Sequence, residues 1–301
     1  VDSHIRANQA RSRRVRNVLL GILVANWAVA VAKLLLGLAR GSASVTADGL
    51  HSFIDGSSNV LGLVAMSVAA RPADDDHPYG HGKFEALASL GIGAMVGMGM
   101  MELGRMAFSS FVHDAHPTVD LEMVAVMIVT LGINLLVTRI ERGYGERLKS
   151  PLLLADAAHT RSDVFVSVAV ITSLLLVWLG FPRADGLVAV VVMFFVARVA
   201  YTIIRQAVGI LSDSARLDPQ EVARLTTEVE GVRHCKDVRS RGMEESVYVD
   251  LKIEVDPALP TAHAHELAHE VERRLTSVFP QVVDVVVHVE PALMDRPSIP
   301  P

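Results

Sequence analysis

The sequence predicts a membrane protein of six spanning helices followed by a small α+β domain, and three observations carry that expectation. Hydrophobic residues make up 51% of the 301-residue chain and the mean hydropathy is +0.38, a balance outside the range of most soluble globular proteins. Six apolar runs approach or exceed the roughly 20 residues that a helix needs to cross a hydrocarbon core. Beyond Ile210 those runs stop, and the pattern becomes that of a water-soluble domain.

The apolar runs read as Val18 to Ala39, Ser44 to Ala69, Phe84 to Ser110, Leu121 to Thr138, Leu152 to Leu179 and Ala184 to Val208. The second, third and fifth contain polar residues, which must face protein or water because hydrocarbon does not solvate them. Basic residues mark one side. Arg6, Arg11, Arg13, Arg14 and Arg16 precede the first run, Arg71 and Lys83 bracket the second loop, and Arg139, Arg142, Arg147 and Lys149 fill the fourth. The alternate loops carry only Arg40 and Arg183, so the positive-inside rule puts both termini in the cytoplasm.

In the soluble part, Pro219 to Glu230 has helical spacing, and Val247, Val249, Leu251, Ile253 and Val255 alternate with polar residues in the period of a half-buried strand. Ala262 to Val278 is helical by its spacing of Leu267, Val271, Leu275 and Val278. Asp237 to Arg241 and Val283 to Val289 read as further strands. The order α-β-β-α-β suggests a small open sheet with helices on one face. The expected boundaries are an N-terminal cytoplasmic segment over 1–16, a membrane domain over 17–211, a soluble domain over 212–291 and a disordered tail over 292–301. A net charge of -5 without a basic stripe excludes nucleic acid as a partner. A single cysteine, Cys235, excludes an intrachain disulfide and a Cys-x-x-Cys metal site.

Two of the expected spans carry one pattern, A-D-x-x-H-[ST]-x-x-D: Ala47 to Asp55 and Ala155 to Asp163. At 3.6 residues per turn its Asp, His and Asp share a helix face. Imidazoles and carboxylates at membrane depth need a partner or a bound cation. If the two helices face each other, His51, Asp55, His159 and Asp163 supply two nitrogens and two oxygens, the donor set that tetrahedral zinc accepts. Calcium and magnesium would demand more oxygens. Interhelical hydrogen bonding would also use such groups, but the matched duplication favours a metal. Asp48 and Asp156, one turn towards the outer end, fit helix-packing groups or acceptors behind the ligands.

Asp74, His77 and His81 in the second loop have metal-ligand spacing within a Gly-rich frame, and a solvated charged turn would read the same way. In the soluble domain His265 and His269 stand one helical turn apart, and His288 and Glu290 project from one strand face.

With these residues in place, the chain resembles the cation diffusion facilitator family, through Gly41-Ser42-Ala43-Ser44, the paired H-x-x-x-D motifs and His77-Pro78-Tyr79-Gly80-His81-Gly82-Lys83-Phe84-Glu85. The resemblance implies a six-helix transmembrane domain on a ferredoxin-like cytoplasmic domain that senses metal. It implies a homodimer in a bacterial inner membrane that exports divalent metal by alternating access in exchange for protons. It matches His51, Asp55, His159 and Asp163 to the transport site, Asp74, His77 and His81 to a loop site, and Lys83 with Asp213 to a charge interlock. His51 stands where some bacterial members have aspartate, a change associated with zinc over cadmium. Lys236 and Lys252 stand where histidine ligands are expected, which leaves His265, His288, Glu290 and Asp250 for a reduced site across the dimer.

Zinc ion is thus the expected cargo and a candidate regulator, with iron(II), manganese or cobalt as alternatives. An enzyme using zinc-bound water would need an open coordination position and a base that the four-ligand set lacks. A metal sensor that transports nothing is the remaining alternative.

Overall fold

A computed structural model describes residues 2–40, 53, 56–112, 121–179 and 184–292. It divides into two compact units, one built from Ile5–Val208 and the other from Gly209 onward. The first consists of α1 (Asp2–Arg40), α2 (Ser57–Ala69), α3 (Lys83–Val112), α4 (Leu121–Arg147), α5 (Pro151–Trp178) and α6 (Ala184–Leu211). Its core joins Val15 and Leu19 of α1, Met66 of α2, Ile92 and Val96 of α3, Leu152 and Leu153 of α5, and Val196 and Ile203 of α6.

Among the described residues three helical stretches are long and apolar enough to cross a membrane: Ala10–Leu35, Lys83–Met101 and Val190–Leu211. The described part of α2 is apolar but shorter, over Asn59–Ala69. Helices α4 and α5 are long enough, but Arg139, Glu141 and Arg142 on one and Asp156, His159, Arg161 and Asp163 on the other lower their hydropathy. Much of the apolar surface faces outward, with Leu35, Met101, Val129 and Phe194 each more than 60% exposed, as lipid contact requires.

Helix α1 starts sixteen residues before the apolar run, at Asp2 instead of Val18. Its basic end is held by a buried ion pair: the Arg11 guanidinium donates to both oxygens of Glu85, at 3.0 and 3.3 Å, and to the carbonyls of Leu148 and Lys149 at 2.6 and 3.0 Å. Ser150 Oγ donates to the same Glu85 carboxylate. Ser150 also starts α5, accepting from the Leu153 N–H at 3.3 Å, with Pro151 in the first helical position, where its missing N–H costs nothing. One acid thus joins the ends of α1, α3 and the α4–α5 turn.

The second unit contains α7 (Pro219–Thr227), β1 (His234–Met243), β2 (Ser246–Val255), α8 (Thr261–Val278) and β3 (Val282–Pro291), the order read from the sequence. Asp218 caps α7 by accepting from the Gln220 N–H at 3.0 Å. The sheet order is β1-β2-β3, with β1 antiparallel and β3 parallel to β2. Strand β1 is longer than its expected five residues and bulges between Lys236 and Arg239, where Asp237 has φ +50°. At the β1–β2 hairpin, Gly242 has φ +112°, and a side chain there would meet the Ser246 carbonyl at 2.2 Å. Val249, Leu251, Ile253, Val271, Leu275 and Val285 form the core between sheet and helices. Pro291, beyond the expected strand Val283 to Val289, ends β3 opposite Val255; a terminal position needs no N–H from it. The expected tail beyond Ala292 lies outside the described residues.

The buried position of Glu85 makes a testable distinction. Glu85→Ala should destabilise the detergent-solubilised protein by about 3 kcal/mol, because it removes the counter-charge of Arg11 and the acceptor of Ser150 Oγ. Arg142→Ala, which breaks an exposed pair with Glu146 (2.7 Å), should cost less than about 0.5 kcal/mol. Thermal unfolding of the two variants checks the difference.

Candidate metal centres

The loop between α2 and α3 shapes the most complete cluster. Asp74 accepts from the His77 backbone N–H at 2.7 Å, while its own N–H donates to the His77 carbonyl at 3.2 Å. Gly80, at φ +81°, turns the chain back so that its N–H also reaches that carbonyl, at 2.9 Å. His81 is buried, and its Nδ1 lies 3.1 Å from the Pro72 carbonyl. A carbonyl only accepts, so Nδ1 carries the proton and Nε2 keeps its lone pair. That Nε2 stands 3.4 Å from Asp74 Oδ2, and His77 Nδ1 stands 3.4 Å from Asp74 Oδ1. Two ligands at about 2.0 Å from one tetrahedral ion would be about 3.3 Å apart.

Among the described residues this is the one trio of His, Cys, Asp or Glu whose ligand atoms all lie within 4.8 Å of one another. The imidazoles of His77 and His81 lie 4.3 Å apart, and Phe84 packs on both, at 5.7 Å from each. The His77 backbone hydrogen bond, followed by the nearby imidazoles, holds the Asp74 carboxyl below its usual range. Ionised Asp74 therefore favours the turn above the ordinary carboxylate range, and that contribution fades as pH falls through the folded value.

Of the paired membrane motif, the structure describes the half on α5. His51, Asp55 and Asp48 lie outside the described residues. His159 Nδ1 is buried with no hydrogen-bond partner, and Asp163 follows one turn later on the same face. Asp156 is 2% exposed and accepts from Asn59 Nδ2 of α2 at 2.5 Å; Asn59 Oδ1 in turn accepts from Asn26 of α1 at 3.1 Å. This chain of amides ties three helices to the motif. Along α5, Asp156 stands one turn before His159, nearer the helix start and the basic α4–α5 turn.

In the soluble unit, strand alternation separates the candidate ligands. Val285 is buried against the helical layer, whereas His288 and Glu290 point to the other sheet face, 3.5 Å apart. His265 is on α8, its Nε2 3.1 Å from that of His269, so one protomer does not gather His265 with His288. Asp250 is half-buried on β2 opposite Arg239. Lys252 bridges Asp237 at 3.0 Å and Glu290 at 3.3 Å, and Lys236 pairs with Glu254. Hydrogen bonding to these carboxylates raises the pKa of each ammonium. Lys83 opens α3, and Asp213 follows α6 at φ +57°.

Sequence reasoning passed over Glu141, a fully buried acid on α4. It accepts from Thr160 Oγ1 at 3.1 Å, fifteen residues before Asp156 and outside the repeated pattern. Lys33, 6% exposed inside α1, was also passed over. An ionisable residue within an apolar run is itself the signal that could have found Lys33; Glu141 lies beyond its run, beside Arg139 and Arg142, and carries no such signal.

Residues 19–212 match the cation efflux transmembrane domain, and residues 216–292 match the cytoplasmic domain of cation efflux proteins. An uncharacterised transporter of Methanocaldococcus jannaschii is 30% identical over 282 residues, covering 92% of this chain and 99% of the relative. A probable cation efflux system protein of Mycobacterium tuberculosis is 31% identical over 282 residues, 92% of this chain and 84% of the other. The cation-efflux pump FieF of Escherichia coli is 28% identical over 286 residues, with 94% and 95% covered.

The loop geometry predicts that Asp74→Asn keeps the turn, since the amide oxygen still accepts from His77, yet weakens zinc binding there by at least about tenfold through loss of the charged ligand. Zinc titration in an Asp163→Ala background, which removes a candidate ligand of the intramembrane motif, measures it.

Proposed function

The chain belongs to the cation efflux family of divalent-metal transporters, and from that premise we propose that it exports zinc from the cytoplasm as a homodimer, in exchange for protons. The observation that carries this reading is the buried, unpartnered His159 Nδ1 with Asp163 one turn away. An imidazole nitrogen without a partner inside an apolar bundle costs free energy unless something outside the chain binds it.

His51 and Asp55 complete the set through the duplicated motif. Two nitrogens and two carboxylate oxygens match a tetrahedral borderline ion and fall short of the six or more oxygens that calcium takes. Binding requires neutral imidazoles, so protons compete with metal at the same nitrogens. A site loaded on the cytoplasmic side releases protons as metal enters and regains them as metal leaves, and the two gradients become coupled. Alternating access brings the site to each face in turn.

The Asp74, His77 and His81 cluster takes a metal at the cytoplasmic surface, in the loop between α2 and α3. Basic residues at alternate loops support cytoplasmic termini in a bacterial inner membrane. The cytoplasmic-domain match supports dimerisation through the soluble unit. Any metal site there is reduced: Lys236 and Lys252 already supply cations to Glu254, Asp237 and Glu290. His265 reaches His288, Glu290 and Asp250 only across the dimer.

Two outcomes follow. Purified Asp163→Ala in proteoliposomes should lose zinc flux while remaining a folded dimer, because it removes a charged ligand and also relieves repulsion in the metal-free site; normal flux would remove the assigned site. His51→Asp should raise cadmium transport relative to zinc, since a carboxylate accommodates the larger ion more readily than imidazole in a tight tetrahedron. An unchanged ratio in competitive uptake would show that His51 does not set the preference.

A further inference from the structure

Glu141 is 0% exposed, and its Oε1 has no hydrogen-bond partner while Thr160 donates to Oε2. Asp156, itself buried, is its neighbour through Thr160, whose Oγ1 lies 3.1 Å from both the Glu141 carboxylate and the Asp156 carbonyl. The close approach is built into the backbone: α4 passes α5 at Gly145, where a side chain would meet Leu154 Cδ2 at 2.9 Å. Ionised carboxylates only accept, so as two anions Glu141 and Asp156 would leave Oε1 orphaned and repel at short range in a medium that screens poorly. The titratable groups that face Glu141 from α5 are Asp156 and Asp163, both acids. On its own helix the neighbouring Arg142 is exposed and paired with Glu146. A single proton between the carboxyls supplies the missing donor and removes one charge.

We propose that Glu141 and Asp156 hold one proton between them in the metal-free protein and give it up when a divalent metal enters the site of His159 and Asp163, one turn further along α5. This rests on the exchange reading above. The carboxylic O–H bond breaks, the proton leaves to cytoplasmic water, and the second negative charge so exposed faces the incoming dication. The pair lies between the basic α4–α5 turn and His159, on the cytoplasmic side of the transport residues. Glu141 acts through Asp156 and is a positioning and proton-holding residue, distinct from the metal ligands.

Infrared difference spectroscopy of the full-length protein, with and without zinc, tests it. The metal-free protein should show the C=O band of a protonated carboxylic acid that shifts with isotope-labelled glutamate or aspartate, falls on zinc addition and is absent from Glu141→Gln. Asp156→Asn offers an amide donor in place of the shared proton and should lose the band as well, which keeps the test open if one variant does not fold. In parallel, protons released per zinc bound, followed with a pH indicator, should fall by about one in Glu141→Gln. Absence of the band in the metal-free wild type overturns the proposal even where flux is proton-coupled. A band that zinc leaves unchanged, with equal proton release in Glu141→Gln, overturns the coupling. Zinc retained in Asp163→Ala and lost on adding Glu141→Gln would mean that metal, not a proton, occupies the pair. Wild-type flux indifferent to a proton gradient would sink the exchange reading and leave the band to decide the shared proton alone.

Discussion

A charged or polar side chain removed from water must find a counter-charge, a donor or a bound ion, and the helical unit is organised by how each of its buried polar groups meets that demand. Glu85 meets it with Arg11 and Ser150. Asp156 meets it with Asn59, and Asn59 with Asn26. Among the described residues of this unit, those left short are Trp27 on α1, Glu141 on α4 and His159 on α5, each with a buried atom lacking a partner; the two titratable ones belong to the α4–α5 pair. The unmet demand of the titratable groups thus falls on the helix pair that carries the candidate site, while Glu85, Asp156 and Asn59 are satisfied and fix helix positions.

The fold was legible to the extent that it is written in local periodicity. Six apolar runs gave six helices, and the alternation of Val247 to Val255 gave β2 with its buried face. The duplicated Asp, His and Asp spacing picked out candidate ligands on α5 because its members are separated by single turns of one helix. What periodicity could not give were partners distant in the chain. Arg11 and Glu85 are 74 residues apart, Asn59 and Asp156 are 97 apart, and a count of loop charges treats Arg11 as one positive residue among five. Glu141 was hidden differently: it sits beside Arg139 and Arg142, so its segment reads as a polar helix end until α5 is seen to cover it.

The soluble unit shows the opposite use of charge. On the sheet face turned from the helices, Lys252 binds Asp237 and Glu290 while Lys236 binds Glu254, so carboxylates that a metal would otherwise draw together are already neutralised by cations of the chain itself. These pairs are solvent-exposed and contribute little to stability. Their effect is on occupancy, since an incoming dication must first displace an ammonium. The bulge at Asp237 turns that carboxylate towards Lys252, which links the irregularity in β1 to the charge pattern of the face.

The junction at Glu85 also bears on how the helices can move. It fastens the ends of α1 and α3 to the α4–α5 turn at one point, through an ion pair whose rupture would cost several kcal/mol. Thermal motion does not break such a pair casually, so low-cost rearrangements leave it whole. The helices then behave like the blades of a fan riveted at one end: they spread or close by tilting about the rivet, with displacement growing along their length. Residues near the rivet, Ser150 and Leu153 among them, move least, and the far ends of α1 and α3 sweep the widest arc.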